Sequence, residues 1–178
     1  MTAPELIATY RKSPTEQTLL GLATHFRFEP ILKGTIPADL NFEFRTGVVN
    51  ELLDSFSLYD VKLIRSLFQE EVNCDRATWG HGNLYQLCFY LYSLGQLEDV
   101  FILYDAKYNA PNMDTGIMLD RQAITVGHEV EEIITYVESR FNEYPILINK
   151  YPNMLADLKD LQLNPDYASI ATYSQFIK

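Results

Sequence analysis

The first residues whose types and spacing could do chemistry are a histidine and several carboxylates in the second half of the chain. His128 and Glu132 are four residues apart, so a helix places both side chains on one face, where they could share a metal ion. The second histidine that a helical zinc site of this type needs is missing. Asp114 and Asp120 lie in a predicted loop, where carboxylates can bind a hard cation or act as acid and base. A metal-dependent enzyme is therefore one hypothesis, although no cofactor is predicted.

Patterns for other kinds of catalysis are missing from the sequence. There is no glycine-rich phosphate-binding loop, and no serine stands in the turn context of a hydrolase nucleophile. The two cysteines, Cys74 and Cys88, are too few for a disulfide framework or a zinc site. Cys88 stands in an apolar run that is typical of a buried position. We therefore predict a protein that acts by binding and not by catalysis.

The charge balance limits the class of partner. The 178 residues contain 24 acidic and 14 basic side chains, so the formal net charge is -10. Such a charge repels nucleic acid and anionic membranes and speeds encounter with a basic protein. We expect a basic protein partner, with no nucleic acid and no membrane. Because the sequence contains no amino-terminal signal pattern and no apolar stretch of bilayer length, we expect a cytoplasmic location.

Seven residues are candidates for contact with this partner. Aromatic side chains are frequent in binding surfaces, and 13% of the residues are aromatic. The single tryptophan stands in a Trp-Gly-His-Gly turn between two predicted helices. The predicted partner-binding residues are Trp79, His81, Tyr108, Asp114, Glu129, Glu132 and Tyr136. Two interpretations stay open, because the rings could instead fill the core and the carboxylates could form an ordinary solvated face.

The elements that must position these residues are helices, since apolar residues recur at helical spacing along most of the chain. The clearest stripes lie between 61 and 72 and between 130 and 141. The segment Leu84–Leu94 is apolar almost all round, which is typical of a central helix. Helices are predicted over 2–12, 14–26, 42–56, 61–79, 84–94, 97–107, 129–142, 154–161 and 165–177. These patterns predict an all-α single domain over 1–178, with about 7–9 helices stacked as antiparallel hairpins in a helical-repeat-like or irregular bundle.

Capping and turn residues set the predicted boundaries. Ser13 and Asn83 are predicted N-caps, because each precedes an apolar-periodic segment. Gly95 is predicted to end the central helix. The stretch 27–40 contains two prolines and a glycine and is predicted as a loop. The stretch 108–127 is predicted as a second loop that contains one or two helical turns.

One stretch has the pattern of a known helical repeat. Residues 84–112 read LYQLCFYLYSLGQLEDVFILYDAKYNAPN, with matching positions at Leu84, Leu87, Leu91, Gly95, Glu98, Asp99 and Tyr104. This segment resembles a single tetratricopeptide repeat, and the resemblance implies a helical hairpin in a scaffold that binds protein through a groove. The sequence departs from the repeat pattern at Cys88, Val100, Lys107 and Asn112. No second copy occurs at the period of roughly 34 residues that such arrays require.

Three functional hypotheses follow from these observations. The first is an acidic inhibitor or immunity-type protein that neutralises a basic toxin or nuclease by covering its active site. The second is a tetratricopeptide-like adaptor that binds a peptide in a groove near residues 84–108. The third is the metal-dependent enzyme. The first two predict a bound protein or peptide, whereas the third predicts a bound metal ion at the His128 helix start or the Asp114–Asp120 loop.

Overall fold

Helices make up most of the structure. The computed structural model describes residues 1–78, 82–110, 112–169 and 172, and the chain is 69% helical with one small two-stranded sheet. The α-helices of the described residues are α1 (Ala3–Lys12), α2 (Glu16–Ala23), α3 (Phe42–Leu52), α4 (Val61–Thr78), α5 (Leu84–Leu94), α6 (Val100–Tyr108), α7 (Met113–Met118), α8 (Val130–Glu143), α9 (Ile146–Lys150) and α10 (Met154–Leu163). Short 3-10 helices cover Leu58–Asp60, Leu97–Asp99 and Arg121–Thr125. The predicted all-α fold is confirmed.

The predicted cap of the second helix is wrong by two residues. Ser13 ends α1, because its backbone N–H donates to the Tyr10 carbonyl oxygen at 3.0 Å. Thr15 is the N-cap of α2, where its hydroxyl oxygen accepts a hydrogen bond from the Thr18 N–H at 3.2 Å. The pattern of hydroxyl residues around a proline therefore identified the helix start to within two residues, but not which hydroxyl caps it.

The predicted loop over 27–40 contains a β-hairpin, so that prediction is wrong. Strands β1 (Pro30–Lys33) and β2 (Ile36–Asp39) pair antiparallel, with Ile31 opposite Ala38. Gly34 has φ of 69°, the left-handed conformation that the tight turn requires. The two prolines, which argued against a strand, are tolerated because a two-stranded sheet consists of edge strands.

The hairpin is held to the helices by a buried ion cluster around Arg45 in α3. The Arg45 Nη2 atom lies 2.6 Å from an Asp39 carboxylate oxygen, and its Nε donates to Glu71 of α4. Its Nη1 donates to the Phe26 carbonyl oxygen at 2.9 Å. Burial lowers the pKa of the Arg45 guanidinium, but the two carboxylates more than compensate and raise it above its ordinary value. One side chain thus joins the hairpin, α3 and α4.

Helix α5 lies in the core, as its apolar sequence predicts. Leu87, Tyr90 and Leu91 are fully buried, and the helix packs most extensively against α4. Gly95 ends α5 with φ of 63°, which confirms the predicted stop. Asn83 precedes the helix but makes no capping hydrogen bond, contrary to prediction. Its side-chain N–H groups instead donate to Glu71 of α4 at 2.9 Å and to the Thr46 hydroxyl oxygen of α3 at 3.0 Å, so the side chain is held by those two helices and not by the start of its own.

The carboxyl-terminal half is built around α6, α8 and α10. Helix α8 packs mainly against α10 and also contacts α9, whereas α6 packs against α7 and the 3-10 helix Arg121–Thr125. The described residues 165–169 are irregular, so the predicted helix does not begin at Asn164. Asn164 instead ends α10, since its N–H donates to the Asp160 carbonyl oxygen. Most of that predicted helix lies outside the described residues.

Candidate partner-binding surface

The predicted partner-binding residues fall into separate groups. Trp79 and His81 lie outside the described residues. Tyr108 and Asp114 lie at the end of α6 and the start of α7. The remaining three predicted residues, Glu129, Glu132 and Tyr136, lie on the first two turns of α8 or immediately before it. The described residues therefore form two candidate regions, one at the end of α6 and the start of α7 and the other at the start of α8.

The first region, which we call the α7 surface, consists of Tyr108, Met113, Ile117 and Met118. Met113 is 76% exposed, Ile117 69% and Met118 53%, which are high values for apolar side chains in a helix. Tyr108 is partly exposed, and its ring stacks on Tyr104 with a centroid distance of 4.7 Å. Tyr108, Met113 and Ile117 line a shallow hollow of about 430 Å³. Helix α7 thus presents apolar side chains to solvent instead of to the core.

Polar contacts fix α7 in this position. The Asn112 side chain caps the helix by accepting the Asp114 N–H at 3.0 Å. The buried Thr115 hydroxyl donates to Asp75 of α4 at 2.8 Å. The Lys107 ammonium of α6 donates to the Gly116 carbonyl oxygen at 2.7 Å. A Cβ at position 116 would lie 2.9 Å from the Lys107 carbonyl oxygen, so glycine permits this close approach.

Carboxylates border the α7 surface. Asp114 is exposed beside Met113, and Asp157 of α10 accepts the Tyr104 hydroxyl at 2.5 Å. Burial raises the pKa of Tyr108, and the negative charge of Asp157 raises it further. We call the aspartates of this region the acidic margin, and its members are Asp114, Asp120, Asp157, Asp160 and Asp166. Arg121 pairs with Asp160 and Asp166, and the margin as a whole remains net negative.

The second region is the start of α8. Glu129 is the N-cap residue of α8, and its exposed side chain makes no capping hydrogen bond. Glu132 is exposed and pairs with His128, with 3.1 Å between the Glu132 Oε2 and His128 Nδ1 atoms. Tyr136 is half-buried and packs on Phe101 of α6, with a ring centroid distance of 6.4 Å. Only the two glutamates are therefore openly presented to a partner.

His128 acts as a clamp between α8 and the end of α5. Its Nδ1 contacts Glu132, and its Nε2 lies 2.8 Å from the Gly95 carbonyl oxygen, so acceptors face both ring nitrogens. Only the doubly protonated ring donates to both. The hydrogen bond to Gly95 raises the pKa of His128, and Glu132 raises it further against the opposing effect of burial. His128 and Glu132, whose spacing suggested a shared metal ion, thus contact each other directly in this structure.

This clamp predicts a pH-dependent contribution to stability. The folded-state pKa of His128 is raised, so its contribution is complete below the unfolded-state pKa of about 6.5 and is lost as pH rises through the folded-state pKa. We expect His128→Gln to lower the free energy of unfolding more at about pH 6 than at about pH 9, by less than about 1 kcal/mol because the pair is partly exposed. Urea denaturation at the two pH values measures this. An equal loss at both values would contradict the clamp.

No metal-binding cluster is evident in the described part of the chain. Across residues 1–78, 82–110, 112–169 and 172, no group of three or more His, Cys, Asp or Glu side chains is arranged to hold a metal ion. Asp114 is exposed, and Asp120 accepts the Tyr167 hydroxyl at 3.2 Å.

No described helix is long and apolar enough to cross a membrane.

Sequence patterns did not single out the residues that give the α7 surface its character. Met113, Ile117 and Met118 were not predicted as partner-binding residues, because apolar residues in a predicted loop are most simply assigned to local packing. The signal that was present is the short apolar run at 117–119 within a polar stretch. Leu119, the last residue of that run, is in fact buried, whereas its two neighbours are exposed.

Comparison with known proteins finds no matching family model, no significantly similar curated protein and no significantly similar solved structure. The resemblance of residues 84–112 to a tetratricopeptide repeat therefore stays a prediction. In the structure α5 packs most extensively against α4, and the main neighbours of α6 are α7 and the 3-10 helix Arg121–Thr125.

Proposed function

We propose that this protein is a non-enzymatic binding domain that holds a basic protein on the α7 surface and its acidic margin. The observation that carries the proposal is the exposure of three large apolar side chains, Met113, Ile117 and Met118, on a helix that buried polar contacts hold in place. Exposed apolar groups that are contiguous and rimmed by polar residues mark interaction sites more often than isolated ones do.

The composition of the α7 surface suits a protein interface. Methionine and tyrosine are enriched in interface cores, where they supply large contact areas. Methionine also adapts its shape to the facing surface, because its side chain is unbranched and flexible. Tyr108 is stacked on Tyr104 before any partner binds, so less side-chain entropy is lost on association.

The distribution of charge supports a basic partner. Residues 1–78 contain 11 acidic and 8 basic side chains, whereas residues 79–178 contain 13 acidic and 6 basic ones. The larger excess of negative charge therefore belongs to the half of the chain that carries the α7 surface and α8. Such a field raises the association rate with a cationic protein and disfavours anionic partners.

A concrete form of this proposal is an inhibitor of the immunity type. The acidic margin would face the cationic surface with which a toxin or nuclease binds its own anionic substrate, and the α7 surface would supply the apolar contact. The acidity of the chain and its exposed apolar helix support this form. The partner would lose activity when bound, which a competition assay against its substrate would detect.

A second candidate, the peptide-binding adaptor, is favoured by a cavity between α4 and α6. The cavity has a volume of about 280 Å³ and is lined by apolar residues including Phe68 and Ile102, with Asp105 among its polar groups. It lies close to the segment 84–108 for which a groove is predicted. Ala106 lines the cavity, so Ala106→Phe would fill it and abolish peptide binding under this hypothesis.

The experiment that tests the binding proposal is affinity capture from an extract of the organism that encodes the chain. We expect Met113→Ser combined with Ile117→Ser to weaken capture of a basic protein by about tenfold or more, since each is placed as an interface anchor. Capture should also fall as the salt concentration rises, because the rim contacts are electrostatic.

A matched control separates this site from general surface hydrophobicity. Leu20 and Leu32 are 64% and 71% exposed, close to the values for Ile117 and Met113, and they lie on α2 and β1. Leu20→Ser combined with Leu32→Ser should leave capture unchanged. Equal loss in both double variants, or binding that is indifferent to salt, would overturn the proposal.

A further inference from the structure

A second concave site lies where α8 begins, and we call it the α8-start pocket. It has a volume of about 390 Å³ and lies between the 3-10 helix Arg121–Thr125, the first turn of α8, the end of α10 and the segment 165–169. Its polar lining residues include Gln122, Glu129, Glu131, Gln162 and Ser169. Two of the described residues that sequence reasoning singled out, Glu129 and His128, thus belong to one pocket.

A buried side-chain amide in the pocket wall lacks a hydrogen-bond partner. Gln122 is 94% buried, and its Oε1 atom has no partner among the described residues. A buried acceptor left without a donor is unfavourable, so such atoms are expected to be satisfied in the working state of a protein. Because Gln122 lines the pocket, a ligand N–H bound there is the donor that this oxygen lacks.

The charges around the pocket select a cation. Glu129 and Glu131 line it, and neither takes part in an ion pair among the described residues. His128, which also lines the pocket, already contacts Glu132. The positive end of the α8 dipole would favour an anion, but three glutamates already occupy that end of the helix. An anionic ligand would therefore meet net repulsion.

We propose that the α8-start pocket takes the side chain of a lysine or arginine from the basic partner. The ammonium or guanidinium group contacts the Glu129 and Glu131 carboxylates and donates a hydrogen bond to Gln122, while the methylene stem packs on Val130 and Leu161 in the same wall. This inference rests on the proposed function, since it names the chemistry by which the partner is recognised.

The test is a titration of the full chain with N-acetyl-arginine amide and N-acetyl-lysine amide, followed by amide NMR. We expect saturable shifts confined to Gln122 and the first turn of α8, with a Kd in the range of about 1–10 mM. N-acetyl-norleucine amide has a similar length but no charge, and it should cause no saturable shift. Glu129→Gln combined with Glu131→Gln should weaken binding by about tenfold.

Two further variants keep the inference falsifiable. Gln122→Met removes the acceptor at nearly constant volume and should weaken binding by at least about threefold. Glu138→Gln combined with Glu143→Gln makes the same charge change farther along α8, outside the pocket, and should leave binding unchanged. Shifts spread over the whole acidic surface, or equal losses in both glutamate pairs, would overturn the inference. Salt-dependent capture through the α7 surface could still succeed, so the two proposals fail separately.

Discussion

Replacement of Arg45 by methionine should lower the free energy of unfolding by about 3–5 kcal/mol, because it leaves two buried carboxylates without their cation. The Arg45, Asp39 and Glu71 side chains are almost completely removed from solvent. Methionine has a similar length and fills much of the space, so the loss reports on charge more than on volume. Guanidinium denaturation monitored by circular dichroism measures it.

The network around Arg45 explains why this loss should be large. The Glu71 Oε1 atom also accepts the Asn83 amide, while Glu71 Oε2 has no hydrogen-bond partner among the described residues. The buried negative charge of Glu71 is therefore compensated mainly by Arg45.

A solvent-exposed pair provides the control for this prediction. Arg140 pairs with Glu143 within α8, and both side chains are partly exposed. Arg140→Met should cost less than about 1 kcal/mol, because surface ion pairs contribute little and water solvates the remaining charge. If the two arginine variants were equally stable, the buried cluster would not have the stabilising role that we assign to it.

Replacement of Gly127 by alanine should destabilise the fold by roughly 2–4 kcal/mol. Gly127 has φ of 77°, a conformation that L side chains rarely adopt. An added Cβ would lie 2.7 Å from the Tyr92 carbonyl oxygen, which is part of the α5 backbone and cannot move independently. Backbone strain and a steric clash therefore act together at this position.

Alanine substitutions at two other glycines separate the effect of backbone strain from the effect of the steric clash. Gly34 has φ of 69° but no atom near the added Cβ, so Gly34→Ala should cost only about 1 kcal/mol. Gly21 lies within α2 in open space, and Gly21→Ala should stabilise the fold by about 0.5–1 kcal/mol. Thermal and urea denaturation of the three variants measure the order of their stabilities. A Gly127→Ala loss no larger than that of Gly34→Ala would show that the contact with Tyr92 is unimportant.

The segment around Gly127 matters for function because it positions the start of α8. Val126, Gly127 and His128 connect the 3-10 helix Arg121–Thr125 to α8, and Val126 also has a positive φ of 44°. A left-handed, β-branched residue is unfavourable by itself, so tertiary packing must hold it in place. The same packing positions the His128 clamp and the glutamates of the α8-start pocket.

Local sequence patterns predicted the helices because helical periodicity is a short-range property. The apolar stripe of α8, including Ile133, Val137 and Phe141, is buried as predicted. The end of α5 at Gly95 was also predictable, because it depends on the left-handed backbone conformation of that one residue. By contrast, the hairpin over 30–39 was missed, because its prolines weaken the local strand pattern and the contact of Asp39 with Arg45 is not part of any periodic pattern.

The candidate site was only partly predictable, for the same reason. Exposure of Glu129 and Glu132 follows from the polar stripe of α8, which the sequence shows. Exposure of Met113 and Ile117 depends on how α7 is anchored to α4 and α6, and no pattern within six residues encodes that. Gln122 gave no signal, since its burial and its lack of a partner exist only after α8 and α10 pack.

The sequence by itself determined the helical class of the fold, the position of most helices and the acidic character of the protein. These properties depend on spacing and composition, which are summed along the chain. Tertiary structure decided which apolar residues face solvent, which carboxylates are buried beside Arg45 and which polar groups line a pocket. Each of these depends on contacts between residues far apart in the chain, whose free energies the local sequence does not contain.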